Sequence, residues 1–256
     1  MRQLSNSAKI AFSMYSRIPM PKADWEKDRM KYIMCFFPLV GVVIGILEYI
    51  WIWIAVYVIK LPSGITAAIF TMLPVWITGG IHLDGMMDTA DALGSCRSME
   101  ERRHILKDTH CGAFAVLSCI SFFLLYAGFA IALSRSSVLS VGIGFVLSRT
   151  LSALSVLTFP KIGSSGLVAM FSEESDKKRN IRIIRCYLAV ETILLICIGR
   201  LTGIGVLMSA IGVFGYYRIM SKKQFGGING DLAGYFLQIC ELVILMATVI
   251  ISMLPL

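Results

Sequence analysis

Charged residues are scarce in this chain, and it has neither paired cysteines nor a histidine cluster. Only 16% of the 256 residues are charged, whereas 57% are hydrophobic, and the mean hydropathy is +0.76. The seven cysteines show no paired spacing, and the three histidines do not group with them. This pattern argues against a disulfide framework and a Cys/His zinc site. It also argues against a soluble domain, whose helices keep one polar face.

Apolar runs close to membrane-spanning length make up much of what remains. At a helical rise of about 1.5 Å per residue, they predict an all-α, polytopic membrane bundle of about seven transmembrane helices. A single membrane-embedded domain, 1–256, is expected. The predicted spans are 33–59, 65–81, 112–133, 137–158, 187–199, 201–217 and 232–254. Arg200 separates the short fifth span from the sixth, so this pair is either two helices or a broken, re-entrant element.

The basic residues predict how the bundle is oriented. With seven spans and a cytosolic N-terminus, twenty of the 24 Lys and Arg residues fall on the cytosolic side. The positive-inside rule therefore predicts a multi-pass protein of the cytoplasmic (inner) membrane, whose long polar loops face the cytosol. The same rule accounts for the formal charge of +8. No nucleic-acid motif is present, and the lipid bilayer is the expected large-scale partner.

An acidic segment, "GGIHLDGMMDTADALGS" (79–95), follows the second apolar run. On a helix, Asp84, Asp88 and Asp91 fall within an arc of about 60°. Like charges at this spacing repel, whereas Mg²⁺ prefers such oxygen ligands and leaves room for substrate phosphates. The alternative makes Asp84 an N-cap and Asp88 a partner of the helix dipole, which leaves Asp91 unexplained. A magnesium site is therefore expected. If the helix reaches back to residue 82, His82 points away from this stripe, and on its own it is no better than an even choice as a metal ligand or general base.

A second polar segment, "KKQFGGINGDLAGYFLQICE" (222–241), precedes the last apolar run. Its glycines predict a loop whose backbone N–H groups approach an anion at a helix N-terminus. Asp231 is either the N-cap of that helix or a catalytic residue. Glu241 lies well inside the span and needs a partner such as Arg149 or a metal.

Together these segments resemble the cobalamin synthase family, the adenosylcobinamide-GDP ribazoletransferases. The acidic segment is similar to the family's aspartate-rich signature, and 226–241 is similar to its closing motif. Weaker similarities are found in "SRIPMPK" (16–22), "FFPLVGVVIG" (36–45), "KDTHCGAF" (107–114) and the pair Ser148-Arg149. The acidic signature together with the closing motif is specific, and the other segments support it.

The resemblance implies an Mg²⁺-dependent transferase of the cytoplasmic membrane. It would join α-ribazole, or its 5′-phosphate, to adenosylcobinamide-GDP and release GMP. The resemblance implies that the Mg²⁺ ligands are Asp84, Asp88 and Asp91, that Asp231 is the general base or a further ligand, and that His82 accepts a proton or contacts phosphate. It also implies that substrate phosphates are bound by Arg17, Lys107 and Arg149 and approached by the loop glycines Gly227 and Gly230. The oligomeric state stays open, with a homo-oligomer as one option.

The chain departs from the family pattern at two places. Thr109-His110 follows Asp108 where the family carries Ser-Arg, so a phosphate-binding arginine is absent at position 110. His110 or Arg103 would have to substitute for it, or substrate affinity would change. Ala92 stands where glycine is frequent, which should not disturb a helix.

Two other functions are compatible with parts of the sequence. CDP-alcohol-type phosphotransferases also use an aspartate-rich helix, but their signature needs an arginine and a second acidic half that "DGMMDTADALGS" lacks. A cation transporter would explain acidic residues in apolar runs, namely Glu48, Glu191 and Glu241. Transporter sites lie near the bilayer midplane between repeated halves, and no repeat is evident here.

Overall fold

The computed structural model describes residues 2–26, 30–163, 166–173 and 175–254, and these residues form an α-helical bundle. Short π-helical turns extend α2, α9 and α10 at their C-terminal ends. The helices are α1 (Arg2–Tyr15), α2 (Ile33–Trp53), α3 (Ser63–Thr78), α4 (Ile81–Gly94), α5 (Met99–Ile105), α6 (Ala113–Ile131), α7 (Val138–Thr158), α8 (Leu167–Glu173), α9 (Lys177–Leu194), α10 (Arg200–Met220) and α11 (Gly230–Ser252).

Several of these helices are long and apolar enough to cross a membrane. Within the described ranges there are five, or up to six if the bent pair α3–α4 counts as one span. The five are Ile33–Val58, Ala113–Ile131, Arg135–Thr158, Lys177–Phe225 and Gly230–Ser252. The all-α, polytopic architecture is thereby confirmed. The number of seven spans and the orientation of the N-terminus stay predictions.

A sharp bend separates α3 from α4. Gly79 and Gly80 have φ values of 69° and 80°, which residues with a Cβ atom rarely adopt. The two helix axes differ in direction by 96°. The predicted span 65–81 therefore ends too late, because α3 stops at Thr78. The bend gives His82 and the aspartates a helix of their own.

The chain also turns sharply at Arg200, where φ is 48° and ψ is −117°. Residues 177–225 form a continuous helical stretch, yet Gly203 packs against the carbonyl of Leu195. In a straight helix, two residues eight positions apart would be separated by about 12 Å, so the chain must bend between Leu195 and Gly203. Arg200 thus separates two helical legs, as expected. Both legs are longer than the predicted 187–199 and 201–217, because the polar residues at their ends continue the helix.

Small residues bring α2 and α7 together at the centre of the bundle. Gly41 packs against the backbone of Phe145, and a Cβ atom at Gly45 would lie 2.7 Å from the carbonyl oxygen of Gly142. Such close approach is typical of helices that associate within membranes. The mostly buried helix α11 packs against α4, α7 and α10, and large apolar side chains on the outer faces of α6 and α10 are exposed.

The loops at one end of the bundle contact one another. Arg103 Nε donates a hydrogen bond to the carbonyl of Phe225 at 2.7 Å. Asn180 Nδ2 donates to the carbonyl of Lys31 at 2.7 Å. These contacts bring together, at one end of the bundle, segments that carry many of the basic residues. The backbone N–H of Arg17 donates to the carbonyl of Ile77 at 2.7 Å, so the basic N-terminal segment also reaches the bend before α4.

Candidate active site

Helix α4 carries three carboxylates along one face. Asp84, Asp88 and Asp91 step by four and three residues on the helix that the sequence predicts. Asp84 is exposed and the other two are half-buried. Within the described part of the chain, none of the three forms an ion pair or accepts a side-chain hydrogen bond. Asp88 is repelled by the charges of both neighbours. The stripe therefore does not stabilise the fold through contacts within the protein.

The capping alternatives for Asp84 and Asp231 are wrong. Helix α4 begins after Gly80 without a side-chain cap, and Asp84 lies inside the first turn. At α11 the N-cap is Asn229, whose Oδ1 accepts a hydrogen bond from the N–H of Leu232 at 3.0 Å. Neither aspartate is therefore a cap, although each lies in the first turn of its helix and interacts favourably with the helix dipole.

A close crossing of α4 and α11 brings Asp231 to the stripe. A Cβ atom at Gly85 would lie 2.7 Å from Asp231 Cα, and one at Gly234 would lie 2.8 Å from the carbonyl oxygen of His82. Asp231 adds its charge to the repulsion felt by Asp88. Asn229 Nδ2 donates a hydrogen bond to Asp231 Oδ2 at 2.7 Å, which fixes the carboxylate. Four carboxylates from two helices therefore share one site.

A cavity of about 180 Å³ adjoins these carboxylates where α1, α2, α4, α7, α8 and α11 meet. Asp84 and Asp231 belong to its wall, and most of the remaining lining is apolar. His82 also lines it and is only 5% exposed. Its ring stacks on Tyr15 and contacts Phe37 edge-on, both with centroids 6.0 Å away. The sequence predicted these residues but not that Asp84, Asp231 and His82 line one cavity.

The donor set of this site suits a hard divalent cation. All four candidate ligands are carboxylates, and no lysine or arginine neutralises the three on α4 within the described residues. Among those residues, no three His, Cys, Asp or Glu side chains are close enough to form a preassembled metal cluster. Mg²⁺ is typically held by one or two carboxylates together with waters and substrate phosphates. The residues therefore fit Mg²⁺ bound jointly with a phosphorylated substrate.

Comparisons with known proteins identify the family. Residues 7–249 match the family model described as cobalamin-5-phosphate synthase. The chain belongs to the cobalamin-5-phosphate synthase family. It is 42% identical over 245 residues to an adenosylcobinamide-GDP ribazoletransferase of Lachnoclostridium phytofermentans, covering 96% of this chain and 94% of that protein. A relative of the same name from Clostridium perfringens is 34% identical over 235 residues, covering 91% and 92%. No solved structure matches the chain.

Arg149 is a residue for which the sequence left two roles open, as a partner of Glu241 or as a contact for substrate phosphates. Its side chain is fully buried and forms an ion pair with Glu241, with Nη1 and Oε1 2.7 Å apart. Ser148 donates a further hydrogen bond to the same carboxylate at 3.1 Å. The pairing expected for Glu241 is present, and Arg149 does not line the cavity. This geometry does not support a contact between Arg149 and substrate phosphates.

The glycine-rich loop before α11 is less open to an anion than the sequence predicts. The N–H groups of Gly226 and Gly227 donate to carbonyls of the preceding turn, and that of Ile228 donates to Pro160 at 2.9 Å. Gly227 is buried against the backbone of residues 160–161, so a Cβ atom there would clash with that backbone. Gly230, by contrast, is exposed and lines the cavity. Of the two predicted loop glycines, only Gly230 is placed to approach a ligand.

The other predicted phosphate contacts lie at different distances from the cavity. Arg17 packs over Gly79 at the bend before α4, and its side chain is exposed beside the site. Lys107 is exposed in the turn after α5. His110 is exposed and hydrogen-bonded to Asp108, with Nδ1 and Oδ1 2.6 Å apart. Arg103, the other suggested substitute, packs against Gly226. Of this group, the structure places Arg17 nearest to the start of the acidic helix.

Sequence reasoning missed three residues of the site, namely Asn229, Tyr15 and Phe37. Asn229 stands just before Gly230-Asp231, and an asparagine there is a recognisable N-cap signal. Tyr15 precedes the first predicted span, 33–59, and Phe37 lies within it. Nothing in their spacing indicates that they face His82, because that contact depends on how α1 and α2 pack against α4.

Proposed function

We propose that this chain is an Mg²⁺-dependent adenosylcobinamide-GDP ribazoletransferase. It joins α-ribazole, or its 5′-phosphate, to adenosylcobinamide-GDP and releases GMP. One observation carries the proposal: the carboxylates of α4, which have no ion-pair partner among the described residues, meet Asp231 beside a cavity, in a chain whose family match spans residues 7–249. The curated relatives that carry this activity in their name match the chain over more than nine-tenths of its length.

The reaction transfers a phosphoryl group to an alcohol. A ribose hydroxyl of the acceptor attacks the phosphorus of the pyrophosphate that is nearer to the corrinoid, and the bond to the GMP phosphate oxygen breaks. A divalent cation supplies charge neutralisation on the phosphates in such transfers. Asp84, Asp88 and Asp91 are the residues that would hold it.

The remaining residues of the site position the reactants. Asn229 holds the carboxylate of Asp231 at the cavity wall. From this position Asp231 accepts the proton of the attacking hydroxyl. Arg17, at the bend before α4, is placed to contact a phosphate oxygen as a charged donor. Lys107 and Gly230 are further contacts for the phosphates. Proton transfer to a positioned carboxylate typically contributes about 10²–10⁴-fold to the rate.

The site is proposed to face the cytosol from the cytoplasmic membrane. Loops that carry many of the basic residues contact one another through Arg103–Phe225 and Asn180–Lys31, and the basic N-terminal segment reaches the bend before α4 through the hydrogen bond from Arg17 N–H to the carbonyl of Ile77. The positive-inside rule places such basic segments on the cytosolic side. Soluble nucleotide substrates would then reach Asp84 and Arg17 directly from the cytosol.

The decisive experiment reconstitutes the purified protein in liposomes with adenosylcobinamide-GDP, α-ribazole and Mg²⁺. GMP and the corrinoid product should form in equal amounts. Both should fall at least about a hundredfold with EDTA or in Asp88→Asn, since metal stabilisation of transition-state charge amounts to several kcal/mol. Glu100→Gln, an exposed acid on α5, is the matched control and should retain full activity.

Each failure has a distinct meaning. Folded protein that gives no product would overturn the substrate assignment, and CDP-alcohols would then be the next donors to test. Product formation that survives Asp88→Asn would keep the reaction but remove Asp88 from the metal site. Product formation that survives EDTA would refute the Mg²⁺ dependence.

A further inference from the structure

The cavity beside the carboxylates has two chemically different parts. Its volume is about 180 Å³, and an apolar protein cavity of about 150 Å³ is large enough to bind benzene. One part is formed by aromatic and aliphatic side chains such as Tyr15, Phe37 and Val156, and the other by Asp84 and Asp231. A ligand that fills both parts must carry a flat apolar group at one end and hydroxyl or phosphate groups at the other.

His82 places an imidazole beside the aromatic rings of the apolar part. Its Nε2 atom is buried and has no hydrogen-bond partner among the described residues. A buried polar atom left without a partner costs about 1–3 kcal/mol, so its retention suggests that a ligand completes it. Tyr15 and Phe37, whose rings contact the imidazole, both line the cavity. The imidazole therefore borders the space that a flat ring would fill.

We propose that this cavity takes the aromatic base of the ribazole and that His82 Nε2 donates a hydrogen bond to the free ring nitrogen of that base. The inference rests on the proposed function and adds the subsite that selects the acceptor. The base lies between apolar side chains, and its ribose reaches Asp231 at the rim. His82 is thus a binding residue for the base, and Asp231 remains the proton acceptor.

The sharpest test changes one atom of the substrate. A 5,6-dimethylbenzimidazole riboside has a free ring nitrogen, and the corresponding 5,6-dimethylindole riboside has a C–H group at the same place. The wild-type protein should use the benzimidazole compound with about a tenfold lower KM, since a lost hydrogen bond of about 1.4 kcal/mol corresponds to tenfold. The KM for adenosylcobinamide-GDP should be the same with either acceptor.

Two variants of His82 decide whether this residue makes the distinction. His82→Phe keeps a flat ring without a donor and should use both ribosides with the same KM. His82→Gln restores an N–H near the position of Nε2 and should recover part of the preference. A tenfold preference that persists in His82→Phe would overturn the proposal. Equal use of the two ribosides by the wild-type protein would also overturn it.

Filling the cavity gives an independent test. Ser152→Leu adds volume to a buried position in the wall and should raise the KM for α-ribazole at least about tenfold, with a much smaller change in the KM for the corrinoid. Ser121→Leu makes the same change at an exposed position on α6 and should alter neither value. An unchanged KM for α-ribazole in folded Ser152→Leu would contradict the assignment. If this variant does not fold, the comparison of the His82 variants still decides.

The outcomes separate this inference from the function on which it rests. Direct binding of the two ribosides to the purified wild-type and His82→Phe proteins is measured alongside turnover. If the wild-type protein shows no turnover, the proposed function is overturned. Even then, tighter binding of the benzimidazole riboside than of the indole riboside, lost in His82→Phe, would support the cavity as the binding site of the base. Turnover with a preference independent of His82 keeps the function and removes the subsite.

Discussion

Gly85 on α4 lies against the backbone of Asp231 on α11, and a Cβ atom at Gly85 would approach Asp231 Cα to 2.7 Å. This contact has a direct consequence for the site. The aspartates of the acidic stripe precede Asp231 by 140 to 147 residues in the chain, and they meet it only because no side chain separates the two helices. Gly85 is therefore a positioning residue for the carboxylates.

Gly85→Ala should separate the two helices. Overpacking of this kind costs about 1–3 kcal/mol, and displacing Asp231 should lower kcat at least about tenfold. Thermal unfolding in detergent and turnover in liposomes measure the two effects. Gly128→Ala on α6, where a Cβ atom meets open space, should change neither. Wild-type turnover in Gly85→Ala would show that the close crossing does not position the site.

The buried pair Arg149–Glu241 should matter for stability and not for substrate binding. Removing one charge leaves the other unpaired in the bundle, so Glu241→Gln should lower the free energy of unfolding by about 3–5 kcal/mol. The double variant Arg149→Met/Glu241→Leu removes both charges and should recover most of that loss. Unfolding in denaturant, followed by tryptophan fluorescence, compares the single and double variants.

The same double variant tests the role that the sequence assigned to Arg149. If Arg149 contacts substrate phosphates, the folded double variant will show a strongly raised KM for adenosylcobinamide-GDP. If it only neutralises Glu241, the KM will stay within about threefold of the wild-type value. The buried 2.7 Å ion pair favours the second result.

Lys161 should titrate well below the ordinary value for a lysine. Burial, reinforced by the charge of Lys177, lowers the pKa of its amine from 10.5 to about 8. Its Nζ atom also donates a hydrogen bond to the carbonyl of Phe159. Since the folded pKa lies below the unfolded one, unfolding takes up a proton between about pH 8 and 10.5. The contribution of Lys161 to stability therefore becomes more favourable as the pH rises through this window.

Competitive acetylation across pH measures this pKa. The midpoint for Lys161 should lie near pH 8. Lys177→Gln should raise it only partly, because burial is the larger cause. Lys178→Gln, whose charge does not contribute to the shift, should leave it unchanged. A midpoint that stays near 8 in Lys177→Gln would assign the whole shift to burial, and one near 10.5 in the wild-type protein would refute the shift itself.

The sequence predicts the parts of this site better than their arrangement. The periodicity of Asp84, Asp88 and Asp91 places them on one helix face, because helical spacing is a local property. The bend at Gly79-Gly80 is local too, yet the apolar run continued to residue 81 and concealed it. The capping function of Asn229 was visible in its position before Gly230-Asp231.

Contacts between distant segments could not be predicted in the same way. The cavity needs α1, α2 and α8 to pack beside α4, and no spacing rule relates Tyr15 or Phe37 to His82. The loop glycines show a similar limit. Gly227 and Gly230 look alike in sequence, but Gly227 packs against residues 160–161 and Gly230 opens onto the cavity. Only the tertiary structure separates a packing glycine from one that borders a ligand.

The predicted orientation can be tested with one native and one introduced cysteine. Cys111 is exposed at the end of the bundle that carries α5 and the acidic helix. Ser136 is exposed before α7, a helix of 21 residues whose other end, at Thr158, leads to Pro160 beside the loop before α11. Twenty-one helical residues span about 30 Å, the thickness of the hydrocarbon core, so the two positions should face opposite sides.

A membrane-impermeant maleimide should therefore label Ser136→Cys in intact cells and Cys111 only in inverted vesicles. The test uses a chain in which the other cysteines are replaced by serine or alanine and which retains turnover. Labelling of Cys111 from outside intact cells would reverse the orientation and place the acidic helix away from the cytosolic nucleotides. Labelling of both positions from the same side would instead mean that α7 does not cross the membrane. The expected pattern would support entry of adenosylcobinamide-GDP from the cytosol, because Asp84, Asp88 and Asp91 lie on the helix that leads towards Cys111.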